Sequence, residues 1–282
     1  MENASETTGH FTAQNGISVF YRHRPARPER ARLVLVHGLG EHSGRYGHVI
    51  DRLTAHGMSV WAIDHQGHGR SEGARGHIDR FDQYLNDLEQ MVDMAKKDMP
   101  EGRKCFLLGH SMGGLIVLRF AEIFRNAIDG VIASSPGLAP AMKIPVVKGG
   151  AAKLISHIWP SLTFDNELDP SHLSHDQAIV QAYIADPLVN RRISARWFTE
   201  FLFAMEAAKS EASAIHIPTL MQVAGSDRIV NPQISKIFFE ALAAKDITLF
   251  FYNDLYHEIY NESADDREKV LSDLSAWLEN HI

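Results

Sequence analysis

The chain has 282 residues, 45% of them hydrophobic and 22% charged, with a formal net charge of −7. Its length supports a large core in one α/β domain or one domain with an insertion. The acidic balance argues against a nucleic-acid binder, which needs a basic face for phosphates.

In chain order, Ile17 to Arg22 reads as a strand and a Pro/Arg-rich connection, Arg24 to Arg32, follows. Leu33 to Val36 is a continuous apolar run, the mark of a strand buried on both faces. A helical stretch near Arg45 to His56 leads to a second buried strand, Ser59 to Ile63. Tyr84 to Lys97 carries Leu85, Leu88, Met91, Val92 and Ala95 at helical spacing. Next come the strand Cys105 to Leu108, a helix from Gly114 to Phe124, and the strand Gly130 to Ala133. The alternation resumes with the strand Thr219 to Val223, a helix from Pro232, the strand Ile247 to Tyr252 and a helix from Asp265 to Asn280. Buried strands alternating with amphipathic helices predict a mostly parallel sheet covered on both sides.

Between Pro136 and Ser213 the rhythm breaks. A structureless loop of about 75 residues does not fit a compact domain, so an inserted helical cap is expected there. The predicted division is a core from 1 to 136 and from 214 to 282, with the cap at 137 to 213. Within the cap, Lys143 to Trp159 has Ile144, Val147, Ala151, Leu154, Ile155 and Ile158 at helical spacing, with Lys143, Lys148 and Lys153 interspersed. Such a helix can lie on a lipid interface or pack its apolar face on the domain below.

The single cysteine, Cys105, lies in an apolar strand, where a buried inert thiol is expected and an internal disulfide is excluded. The first residues are polar and acidic, unlike a secretory signal. No run of about 18 apolar residues occurs, so no membrane span and a cytoplasmic location are expected.

Chemistry concentrates at Gly109-His110-Ser111-Met112-Gly113, a G-x-S-x-G sequence between a strand-like and a helix-like run. The reversal pushes the serine into a sparsely allowed backbone region and lifts its hydroxyl above the sheet, beside free N–H groups at a helix start. A nucleophilic serine needs a base and a carboxylate to orient that base. In elbow-type hydrolases these follow in the order Ser, Asp/Glu, His, on loops after strands. Asp227 directly follows the strand Thr219 to Val223, and His257 lies just beyond Ile247 to Tyr252. Asp254 and Glu258 flank the histidine too closely to turn back on its ring, and Asp246 precedes its strand. Oxyanion donors are expected from the N–H of Met112 and of Leu39, in His37-Gly38-Leu39-Gly40. The segment Asp64 to Gly73, with His65 and His68 and with His77 nearby, lacks H-E-x-x-H and paired cysteines, so it reads as a glycine-rich structural loop, with no metal. It also lacks the P-loop pattern, and no cofactor is implied.

Taken together, the runs His37 to Tyr46, Asp64 to Gly73 and Gly109 to Gly114 resemble the monoacylglycerol lipase and lysophospholipase family of the α/β-hydrolase superfamily. The likeness continues through Tyr183-Ile-Ala-Asp-Pro187 to Asp227-Arg228 and Tyr256-His257. It implies an α/β-hydrolase fold with a mostly parallel eight-stranded sheet and an inserted helical cap. It implies a triad of Ser111, Asp227 and His257, with Leu39 and Met112 as the oxyanion hole. Glu41, Arg45 and Tyr183 match polar positions near the glycerol end, where each can serve substrate or structure. The mammalian members carry a cysteine shortly after the triad aspartate; Val230 and Asn231 stand there in this chain, so thiol-directed inhibition is not expected.

The activity so implied is cleavage of monoacylglycerols to glycerol and fatty acid through an acyl-enzyme. A lysophospholipase or broad carboxylesterase is the alternative, and a non-catalytic ligand-binding protein the remote one. The expected partner is a small lipid ester, met in transient contact of the cap with a membrane or micelle; the oligomeric state stays open.

Overall fold

The structure is a computed structural model that describes residues 5–142 and 146–282, without the side chains of 146–149, 151 and 152. Its centre is a sheet of eight strands: β1 (Thr7–Thr12), β2 (Ser18–Arg24), β3 (Ala31–Val36), β4 (Met58–Ile63), β5 (Cys105–His110), β6 (Gly130–Ser134), β9 (Thr219–Ala224) and β10 (Ile247–Tyr252). They lie in the order β1-β2-β4-β3-β5-β6-β9-β10. Pairing is antiparallel from β1 to β2 and from β2 to β4, and parallel from β4 onward. This is the α/β-hydrolase architecture.

The pleat sorts the core into two layers. Leu33 and Leu35 of β3 and Phe106 and Leu108 of β5 face α1 (Gly47–Ala55) and α8 (Ala264–Glu279). Val34, Val36 and Leu107 face the opposite layer, with α2 (Asp82–Lys96) and α3 (Met112–Ile123). β3, β4 and β5 are fully or nearly fully buried because both faces are covered. Cys105 is buried in β5, and burial pushes its thiol up to about 12.

Between β6 and β9 the chain leaves the sheet. It forms α4 (Val146–Ile158), β7 (Thr163–Asp165), α5 (Gln177–Ala185), β8 (Arg192–Ser194) and α6 (Ala195–Glu211) before β9 rejoins the sheet, and α7 (Pro232–Glu240) then links β9 to β10. The sequence pattern predicts no strand here, yet β7 and β8 form an antiparallel pair. Three residues apiece are too few to print a period on the sequence. The edge strand β1 is likewise absent from the predicted elements, because Thr7-Thr-Gly-His-Phe-Thr12 exposes most of its side chains and carries no apolar alternation.

Lys143 and Ile144 of the predicted cap helix lie outside the described residues, as do the side chains of Val147, Lys148 and Ala151. Farther along, Leu154, Ile158 and Trp159 are 63%, 75% and 62% exposed, so this stretch does not pack them on the domain below. No helix among the described residues is long and apolar enough to cross a membrane.

Candidate active site

The three sequence-predicted residues meet at the C-terminal ends of the parallel strands. Ser111 links β5 to α3 with φ 54 and ψ −115, a strained conformation costing about 1–3 kcal/mol. Backbone bonds hold it there: Ser111 N–H donates to Ser134 O at 2.9 Å, and Gly137 N–H donates to Ser111 O at 2.8 Å. The flanking glycines are a steric requirement. A Cβ on Gly113 would lie 2.1 Å from Val36 O, and one on Gly109 would lie 2.1 Å from Gly113 O.

His257 Nδ1 lies 2.6 Å from Asp227 Oδ2, and Nε2 lies 2.8 Å from Ser111 Oγ. A carboxylate only accepts, so Nδ1 carries the proton and the bare Nε2 accepts from the serine hydroxyl. Asp227 cannot rotate freely, because its Oδ1 accepts from Ile229 N–H at 2.8 Å and Val230 N–H at 3.0 Å. Burial by itself would lower the His257 pKa, but the charge and hydrogen bond of Asp227 outweigh it and raise it.

Two cavities open on Ser111. One of about 280 Å³ has Glu41, His110, Tyr183, His257 and Glu258 in its wall. The other, of about 650 Å³, is apolar, walled by Trp197, Phe198, Phe201, Leu202 and Met205. Leu39 borders both, and Met112 borders the apolar one. Met112 opens α3, so no earlier helical carbonyl takes its N–H.

Of the three polar residues assigned by likeness to the glycerol end, Glu41 and Tyr183 line the small cavity and Arg45 does not. Arg45 stands behind the wall, donating to Glu41 Oε2 at 2.7 Å and to both oxygens of Glu258 at 2.6 and 2.7 Å. Its guanidinium also covers the Tyr183 ring at 4.8 Å. Glu41 Oε1 accepts from Gly38 N–H at 2.6 Å and from the Tyr46 hydroxyl at 2.6 Å, which fixes the loop that carries Leu39. Burial alone would raise the Glu258 pKa; Arg45 holds it down to about 2.

Sequence reasoning sets Glu258 aside as a triad carboxylate and overlooks it as a wall residue, although its place next to His257 was the available signal. His110 is missed as well. Its ring lies 4.8 Å from that of His257, and burial, then the His257 charge, lowers it to about 4.

The histidines of the 64–73 region form a packed support. His37 Nε2 accepts from His65 N–H at 3.0 Å, so Nδ1 carries the proton and donates to Gly38 O at 2.7 Å. His68 sits within ring-contact range of both, at 5.4 and 6.3 Å, while His77 turns away to Ser194 Oγ. Among the described residues no group of three His, Cys, Asp or Glu side chains is placed to hold a metal ion.

A family model for serine hydrolases, Hydrolase_4 (serine aminopeptidase, S33), matches residues 27–264. The chain belongs to this family. The chain is similar to a monoacylglycerol lipase of Mycolicibacterium smegmatis, 31% identical over 100% of both chains. An uncharacterized abhydrolase domain-containing protein of Dictyostelium discoideum is 35% identical over 89% of this chain, which spans 26% of that longer protein. Among solved structures, the monoacylglycerol lipase of Paleococcus ferrophilus superposes with a TM-score of 0.86 at 39% identity, covering 94% of this chain and 99% of its own. These likenesses extend over the sheet and the excursion between β6 and β9, well beyond the elbow sequence.

Proposed function

We propose that this family member is a serine ester hydrolase that cleaves monoacylglycerols to glycerol and a free fatty acid. The observation that carries the reading is the Ser111–His257–Asp227 chain, at 2.8 and 2.6 Å, opening on a small cavity with Glu41, Tyr183 and Glu258 in its wall and on a larger apolar one. The relatives named monoacylglycerol lipase support the choice of ester.

In this reading Ser111 Oγ gives its proton to His257 Nε2 and attacks the ester carbonyl. The N–H groups of Leu39 and Met112 hold the oxyanion, each worth about 3 kcal/mol. The imidazolium returns the proton to the glycerol oxygen as the C–O bond breaks. Water then attacks the acyl-enzyme by the same route and frees the acid. The acyl chain lies in the apolar cavity and glycerol in the small one. Residues 1–136 and 214–282 form the hydrolase core, and 137–213 act as its cap. Exposed Leu154, Ile158 and Trp159 give the cap a face for transient contact with a membrane or micelle, in an otherwise cytoplasmic protein.

The test is turnover of a medium-chain monoacylglycerol by wild type and Ser111→Ala, beside labelling by a fluorophosphonate. Loss of about four to six orders of magnitude with the fold intact, and loss of labelling, are expected. Retained turnover in the purified variant overturns the mechanism.

A further inference from the structure

His257 stands in the wall of the small cavity and not in that of the apolar one. On the hydrolase reading above, this assigns the small cavity to the departing alcohol, because His257 must hand that oxygen a proton.

The charges around this cavity do not balance. Glu41 and Glu258 form part of its wall, 2% and 4% exposed, and Asp227 stands behind His257. Among the described residues, Arg45 is the one cation ion-paired with Glu41 or Glu258. Arg45 is committed to Glu41 and Glu258 and stays outside the wall, so two negative charges are left without a counter-charge. His110 does not supply one, since burial keeps its ring neutral near pH 7. Among the described residues no lysine or arginine lines the cavity. In such a buried space water and salt screen poorly, and like charges a few ångströms apart repel strongly.

The geometry points to selection by charge at the leaving group: the site takes esters of small uncharged alcohols such as glycerol and rejects those whose leaving alcohol carries an anion, the phosphate-bearing lysolipids among them. A buried hydroxyl can donate to a carboxylate lone pair, whereas an anionic oxygen faces the charges of Glu41 and Glu258 and meets only neutral donors, such as the Tyr183 hydroxyl, in the wall. The acyl half of the substrate plays no part in this choice.

A size-matched pair isolates the effect. Decanoyl esters of ethylene glycol and of glycolate differ by one carboxylate at the leaving group. Each kcat/KM is normalised to that ester's alkaline hydrolysis. Wild type is expected to favour the glycol ester by about thirtyfold or more. Glu41→Gln keeps an acceptor for Gly38 N–H and removes one charge, and should narrow the preference by about five- to tenfold. A normalised wild-type preference below threefold overturns the proposal whether or not the variant folds. If neither ester is cleaved and the fluorophosphonate leaves Ser111 unlabelled, the hydrolase reading itself fails, and the two failures are distinguishable.

Discussion

Arg45 gives both of its terminal nitrogens to the carboxylate of Glu258, at 2.6 and 2.7 Å, across 213 positions of sequence. Glu258 follows His257 directly, and the same guanidinium grips Glu41, which holds Gly38. One side chain, 10% exposed, therefore ties the loop bearing the base to the loop bearing Leu39. Removing it leaves two buried carboxylates with hydrogen-bond donors but no counter-charge. Arg45→Ala is expected to cost about 3–5 kcal/mol of stability. Arg45→Lys restores the charge but not the two-pronged geometry. Its melting temperature should recover most of the way, while kcat falls more than KM rises. Equal recovery of both would show that charge alone suffices and that fixing the loops is irrelevant.

The base sets the acid limb of the rate profile. His257 acts as the neutral imidazole, and the net effect of Asp227 over burial is to raise its pKa above the ordinary 6.5. Protonation therefore removes activity as pH falls through that raised value. For an uncharged ester, kcat/KM should be flat on the alkaline side and drop with a slope of one, with an apparent pKa above 6.5. Rates followed from pH 5 to 9 check this. An acid limb centred well below 6.5 would contradict the role given to His257.

The elbow tolerates no added methyl. Gly113→Ala would drive a Cβ to 2.1 Å from Val36 O and 2.5 Å from His37 O, where the oxyanion loop leaves β3. Backbone on both sides has to move, so about 1–3 kcal/mol of stability should be lost. Turnover should fall by more than tenfold even in the protein that remains folded, because Leu39 shifts relative to Ser111. Circular dichroism melts beside active-site titration separate the two effects. Full activity per titrated site would rule out the displacement.

Much of this arrangement could be read from the residues alone, for a physical reason. Ser111 announces itself because the elbow needs glycine at 109 and 113, and Asp227 and His257 follow strands whose continuous apolar runs mark the sheet. What escaped was whatever leaves no period. Thr7–Thr12 joins the sheet through backbone bonds to β2 while exposing most of its side chains. The pairing of Thr163–Asp165 with Arg192–Ser194 spans too few residues to show. Glu258 and Arg45 meet only in three dimensions, and nothing in either local sequence names the other as its partner.

A buried carboxylate away from the site makes the last prediction. Asp87 on α2 is 1% exposed and accepts from Gln66 Nε2 at 2.7 Å. Burial, against the pull of that hydrogen bond, pushes its pKa up to about 7. In the unfolded chain it titrates near 3.8, so between about pH 4 and 7 the folded state binds more protons. The ionised carboxylate thus weighs against folding most above pH 7, and its cost shrinks as pH falls toward 4. Asp87→Asn keeps an oxygen for Gln66 and mimics the protonated form. It should raise the melting temperature at pH 8 by about 2–4 °C for each kcal/mol relieved, and give no gain near pH 4. Melting curves at pH 8, 6 and 4.5 test this, and a gain independent of pH would mean that packing, not ionisation, is the cause.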